Sequence, residues 1–116
     1  MEISIILRRP PYGTVDASEA IRHALGAVTE DVKVRLILVD GGINAARKGQ
    51  DNSDTPFSSI EEGIRDCIDL GVEIYVDKSS MKEDYLESDR LVEGVKIVNS
   101  HEIAEMIKST ELTMIF

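Results

Sequence analysis

The sequence predicts an α/β protein, a three-layer α/β/α sandwich around one mostly parallel five-stranded sheet, in a single domain over residues 1–116. Three observations carry this. Short apolar runs rich in β-branched residues alternate with longer segments of helical period. The runs are too continuously apolar for a sheet with one wet face, which points to parallel strands covered on both sides. Finally, 116 residues suffice for one hydrophobic core without disulfides or a structural metal.

The strands are expected at Ile3–Leu7, Val34–Val39, Val72–Val76, Val95–Val98 and Leu112–Phe116. Between the first two, Ala17, Ala20, Ile21, Ala24, Leu25 and Val28 fall on one face of a helix over Val15–Val28. Thr14 is its expected N-cap, with Asp16–Glu19 as a competing capping box. A second helix over Ser59–Leu70 presents Ile60, Ile64, Cys67 and Ile68, opens on a Ser58–Glu61 capping box and stops at Gly71. A third begins at Ser100, with Ile103, Ala104, Met106 and Ile107 inward. Shorter helices are expected at Ile43–Lys48 and Ser80–Leu86, and the least ordered stretch at Gly49–Pro56, where turn formers cluster.

Composition narrows function. Net charge is −9, from 13 basic and 22 acidic residues, so a phosphate-backbone binder is not expected. No apolar run has the length of a membrane helix, and the first residues lack signal-peptide character; a soluble cytoplasmic protein is expected. One cysteine cannot form an internal disulfide, and the two histidines are not at ligand spacing, so neither a metal nor a cofactor is expected.

In parallel sheets, ligands gather beyond the carboxyl ends of the strands. After the first strand stand Arg8, Arg9, Pro10, Pro11, Tyr12, Gly13 and Thr14: a turn, a helix start and two cations that suit an anion or a partner carboxylate. The loop is neither a Walker A loop nor a GxGxxG turn. The commoner reading is a rigid proline turn with solvated arginines. After the second strand, Asp40 and Gly41 read as a helix cap and a sharp turn. After the third, Asp77 reads as an N-cap, with Ser79 close behind. His23 lies on the polar side of the first helix, near Glu19 and Arg22, and His101 in the first turn of the last. Cys67 falls on an apolar helix face and reads as a buried, inert thiol; a reactive thiol is the lesser alternative.

Taken in order, Pro10–Thr14 after the first strand, Asp40–Gly41 after the second, Gly49–Gln50, the strand and helix start Tyr75–Leu86, and a final strand ending at Phe116 resemble the DsrE/DsrF superfamily. The resemblance spans essentially the whole chain and is nearest to the DsrF/TusC branch of sulfur-relay proteins. It implies oligomers, in the relay complexes a dimer of heterotrimers, whose members pass a persulfide sulfur between cysteines for tRNA wobble-uridine thiolation or for sulfur oxidation. It further implies that the carrier subunit's cysteine follows the third strand, where this chain has Asp77, and that a glycine is usual where this chain has Tyr85. A carboxylate cannot accept a sulfane sulfur; that takes a thiolate. The chain is therefore expected to act as a non-carrying subunit beside DsrE/TusD-like and TusB/DsrH-like partners or further copies of itself, with a TusA-like carrier as a further partner. The alternatives are a homo-oligomeric small-anion-binding module at the strand ends, and a relay enzyme using Cys67.

Overall fold

The computed structural model describes residues 1–50 and 59–116. Its strands are β1 (Glu2–Leu7), β2 (Lys33–Leu38), β3 (Glu73–Asp77), β4 (Lys96–Val98) and β5 (Leu112–Ile115). Its helices are α1 (Asp16–Val28), α2 (Ile60–Asp69), α3 (Lys78–Glu83) and α4 (Ser100–Lys108), with short 3-10 helices at Asp40–Ala46 and Ser88–Arg90. All five strands join one sheet in the order β4-β3-β2-β1-β5, and every pairing is parallel. The chain moves outward from β1 to β4, then returns to place β5 on the other side of β1. The order thus reverses beside β1, where the Arg8 N–H donates to the Phe116 carbonyl at 2.9 Å.

The two faces of the sheet are unequally covered. On one, α1 and α2 pack on each other and on the strands, enclosing Ile5, Leu7, Leu36, Leu38, Ile64, Cys67 and Val76 in the main core. Full burial of one such aliphatic side chain contributes about 1.5–3 kcal/mol. On the other face α4 alone sits over Ile37 and Val98, through Ile103, Met106 and Ile107. Next to this small cluster the face turns polar. Arg35 is only 12% exposed and lies between Glu2 (3.3 Å) and Glu73 (3.6 Å), bridging β1 and β3 from the strand between them. The buried Ser4 hydroxyl pairs with that of Thr110 at 2.8 Å.

Burial on both faces therefore holds only for the central strands. β3 alternates buried and half-buried residues, and β4 and β5 are largely exposed, because each edge strand has one neighbour and α4 is a single short helix. Several local expectations are corrected. The residue before α1 is Val15, which makes no side-chain cap; the Thr14 hydroxyl instead accepts from the Asp16 N–H at 3.3 Å, and Asp16 is already helical. At α2 the cap is Ser59, accepting from the Glu62 N–H; the expected Ser58–Glu61 box lies, at Ser58, outside the described residues. The Ile43–Lys48 helix is a 3-10 helix starting earlier, at Asp40, and the Ser80–Leu86 helix is α3, starting at Lys78. Ala104 is exposed. Most of the Gly49–Pro56 expectation lies outside the described residues, but Gln50 is tied down by bonds to Ala45, Arg47, Glu61 and Tyr12. Among the described residues no helix is long and apolar enough to cross a membrane.

Candidate functional site

The loops after β1, β2 and β3 meet at the carboxyl edge of the sheet. Gly42 is the hinge of the meeting. A Cβ there would lie 2.1 Å from the Leu7 carbonyl oxygen, so only glycine lets the second loop pass this close beneath the first. The Gly42 N–H also donates to the Arg8 carbonyl at 3.1 Å. Gly41 lies against Pro10, whose ring a Cβ would meet at 2.9 Å. Pro10 and Gly41, two pieces of the predicted pattern, thus touch one another.

The second and third loops are joined by a serine that the sequence did not single out. Asp77 caps α3 as expected. Its Oδ2 accepts from the Ser80 N–H at 3.2 Å and from the Ser80 hydroxyl at 2.6 Å. The Ser80 oxygen in turn accepts from the Asp40 N–H at 2.8 Å. Asp40 is not itself a cap; it opens the 3-10 helix at φ +49°, a left-handed conformation that aims its N–H at Ser80. Asn44 extends the network, donating to the Gly41 carbonyl and to Asp84 (both 3.1 Å) and accepting from the Arg47 guanidinium. Ser79, named from the sequence, points to solvent, and its neighbour Ser80 makes the contacts. A capping pattern exposes Asp77; nothing local reveals that Ser80 also reaches the next strand's end.

The first loop stands apart from this network. Arg8 and Arg9 are exposed, and Arg9 Nε lies 3.6 Å from Asp16 in the first turn of α1. Tyr12 donates to the Gln50 side chain at 2.9 Å. Gly13 supplies a positive φ of 102°. Pro11, Tyr12, Gly13, Thr14 and Ile60 line a cavity of about 520 Å³. The structure therefore brings together Asp40, Gly41 and Asp77, and leaves the Arg8 and Arg9 side chains outside their hydrogen-bond network.

The chain's one thiol is elsewhere. Cys67 is fully buried on the inner face of α2. Burial, with a smaller contribution from Asp66, pushes its pKa up to about 12, so at neutral pH it is a thiol and not a nucleophile. His23 is half-buried; its Nδ1 lies 2.7 Å from the Glu19 carbonyl and its ring packs on Phe116. Among the described residues, no group of histidine, cysteine and acidic side chains is arranged to hold a metal.

An all-parallel open sheet whose strand-end loops meet in a polar junction defines an α/β protein of the open-sheet class. The comparisons make this specific. The DsrE/DsrF-like family model matches residues 1–116, and the chain belongs to that family. It is 29% identical to an uncharacterized protein of Methanocaldococcus jannaschii over the full length of both. It is 27% identical to the intracellular sulfur oxidation protein DsrF of Allochromatium vinosum, over 94% of this chain and 91% of that one. The crystal structure of the ychN protein from E. coli superposes with a TM-score of 0.90 at 20% identity, covering 100% of this chain and 99% of the other, which establishes the shared fold.

Proposed function

We propose that this protein is a DsrF/TusC-like, non-carrying subunit of a cytoplasmic sulfur-relay assembly, serving either sulfur oxidation or tRNA thiolation. Its task is structural: it shapes the surroundings of a partner's reactive cysteine. The observation that carries the reading is Asp77. At the strand end where the resemblance locates a carrier cysteine stands a carboxylate already occupied as a helix cap.

The chemistry explains why this matters. In persulfide transfer the acceptor thiolate attacks the outer sulfur of the donor persulfide. The donor's S–S bond breaks and the donor leaves as a thiolate, with no net oxidation. A carboxylate oxygen has no place in that exchange, and Cys67 is neither ionised nor reachable. The partners implied are DsrE/TusD-like and TusB/DsrH-like subunits, or further copies of this chain, with a TusA-like carrier delivering sulfur.

Copurification of the tagged protein from its native host tests this. The expected result is a stable complex with a related subunit that carries a cysteine directly after its third strand. Isolation of the protein with no such companion, under conditions where the host makes it, would overturn the reading.

A further inference from the structure

Helices α2 and α3 end in the same way. After α2, the Gly71 N–H donates to the Ile68 carbonyl (3.1 Å) and the Val72 N–H to the Cys67 carbonyl (2.9 Å). After α3, the Tyr85 N–H donates to the Lys82 carbonyl (3.3 Å) and the Leu86 N–H to the Met81 carbonyl (2.9 Å). Both are Schellman turns, which place one residue in the left-handed region and favour glycine there. The first has Gly71 at φ +99°; the second has Tyr85 at φ +53°. A tyrosine costs stability in that conformation. Its ring recovers nothing by burial, being 91% exposed. Neither the backbone nor the packing of this chain accounts for an aromatic residue at Tyr85.

The surroundings supply an account. Tyr85 lines a groove of about 390 Å³ whose apolar surface includes Met81, Leu86 and Ile97. Ile97 is 41% exposed on β4, a strand with no neighbour on its outer side among the described residues. Lys78 and Lys82, one helical turn apart on α3, also line it, against the single carboxylate of Glu87. Neither lysine has an ion-pair partner among the described residues. Asp84, beside Tyr85, is bonded to Asn44. A chain of net charge −9 thus holds an apolar groove lined by two lysines and one carboxylate, with an aromatic residue standing free at its edge. Exposed aromatic residues beside an apolar pocket are the usual anchors of protein interfaces.

We propose that this groove docks a segment of a partner protein that presents an aromatic or aliphatic side chain flanked by carboxylates. The apolar side chain fills the space between Tyr85 and Ile97, and the carboxylates meet Lys78 and Lys82. A nucleic acid is the poorer fit, because the net charge of the whole chain opposes a polyanion. The inference goes beyond the relay reading and stands on the groove alone.

The test is an NMR titration of the methionine and isoleucine methyls and the tyrosine rings. The probes are a blocked Ser-Asp-Phe-Glu-Leu-Asp-Ser peptide, its twin with lysine for each acid, and a short oligothymidylate. The acidic peptide should saturate with shifts at Met81, Tyr85 and Ile97. Tyr85→Gly should weaken it about tenfold or more, the loss expected of an anchor, while raising the melting temperature by a few degrees through release of backbone strain. Lys78→Glu combined with Lys82→Glu should weaken the acidic peptide, favour the lysine twin and leave melting unchanged. No shift at millimolar peptide, equal binding of the twin, tighter binding of the oligonucleotide, or a fall in melting temperature in Tyr85→Gly would each overturn the proposal. None of these results bears on whether a cysteine-bearing companion copurifies.

Discussion

Cys67 and Asp77 stand at opposite ends of one α2–β3 unit, and their surroundings differ in every respect that governs sulfur chemistry. Cys67 faces the main core, fully buried, its pKa pushed up to about 12 by loss of water. Asp77 is half-buried at the carboxyl edge of the sheet, beside the start of α3, where backbone N–H groups favour negative charge. The molecule has a thiol closed inside its core, and at the half-buried strand end, where one Asp77 oxygen is bonded to Ser80 and the other is itself buried, it has a carboxylate and no thiol. On the proposed reading, sulfur transfer needs a residue type and a place together, and in this chain the two lie apart.

The sharpest way to break that comparison is to reunite them. In Asp77→Cys the new thiol should react with iodoacetamide about a thousandfold faster than native Cys67 near pH 8, since the thiolate fraction alone differs by about three decades. Peptide mapping of the labelled, folded protein measures this, and comparable rates at the two positions would erase the distinction.

Cys67 should next show itself in the pH dependence of stability. Its folded pKa lies above its ordinary value of 9.0, so its contribution is complete below pH 9 and is lost as pH rises towards 12. Over that window the native protein should lose stability relative to Cys67→Ala at up to about 1.4 kcal/mol per pH unit, by urea unfolding. Parallel curves for the two proteins would mean that the thiol is not held neutral by the fold.

A smaller effect is expected at the strand-end junction. Ser80→Ala removes the acceptor of the Asp40 N–H and one donor to Asp77, and should cost about 1–3 kcal/mol. Asp77→Asn keeps a capping oxygen and should cost only about 1 kcal/mol or less. If Asp77→Asn proved the more damaging of the two, the carboxylate would have a role beyond capping.

Legibility in the sequence followed the range of the interactions. The five strands and the inward faces of α1 and α2 were readable because periodicity is a local signal of burial. Asp77 as a cap and Gly71 as a helix stop were readable because both act within one turn of chain. Ser80 was not, because its value lies in reaching Asp40 on a neighbouring strand's end. The cap at Ser59 turned on a one-residue register that composition does not encode. Asp40 followed by two glycines suggested a cap, whereas the close pass of Gly42 beneath Leu7 is a tertiary constraint. Arg35 was overlooked because a lone arginine in an apolar run gives no hint that two carboxylates await it across the sheet.

Intact-mass spectrometry of the native protein, after exposure to a persulfide donor and removal of the donor, tests most directly whether this chain can hold sulfur. The mass should be unchanged, with Asp77→Cys gaining one sulfur atom under the same treatment. A stable gain of one sulfur by the unaltered protein, mapped to Cys67 while the fold is intact, would contradict its assignment as a non-carrying subunit.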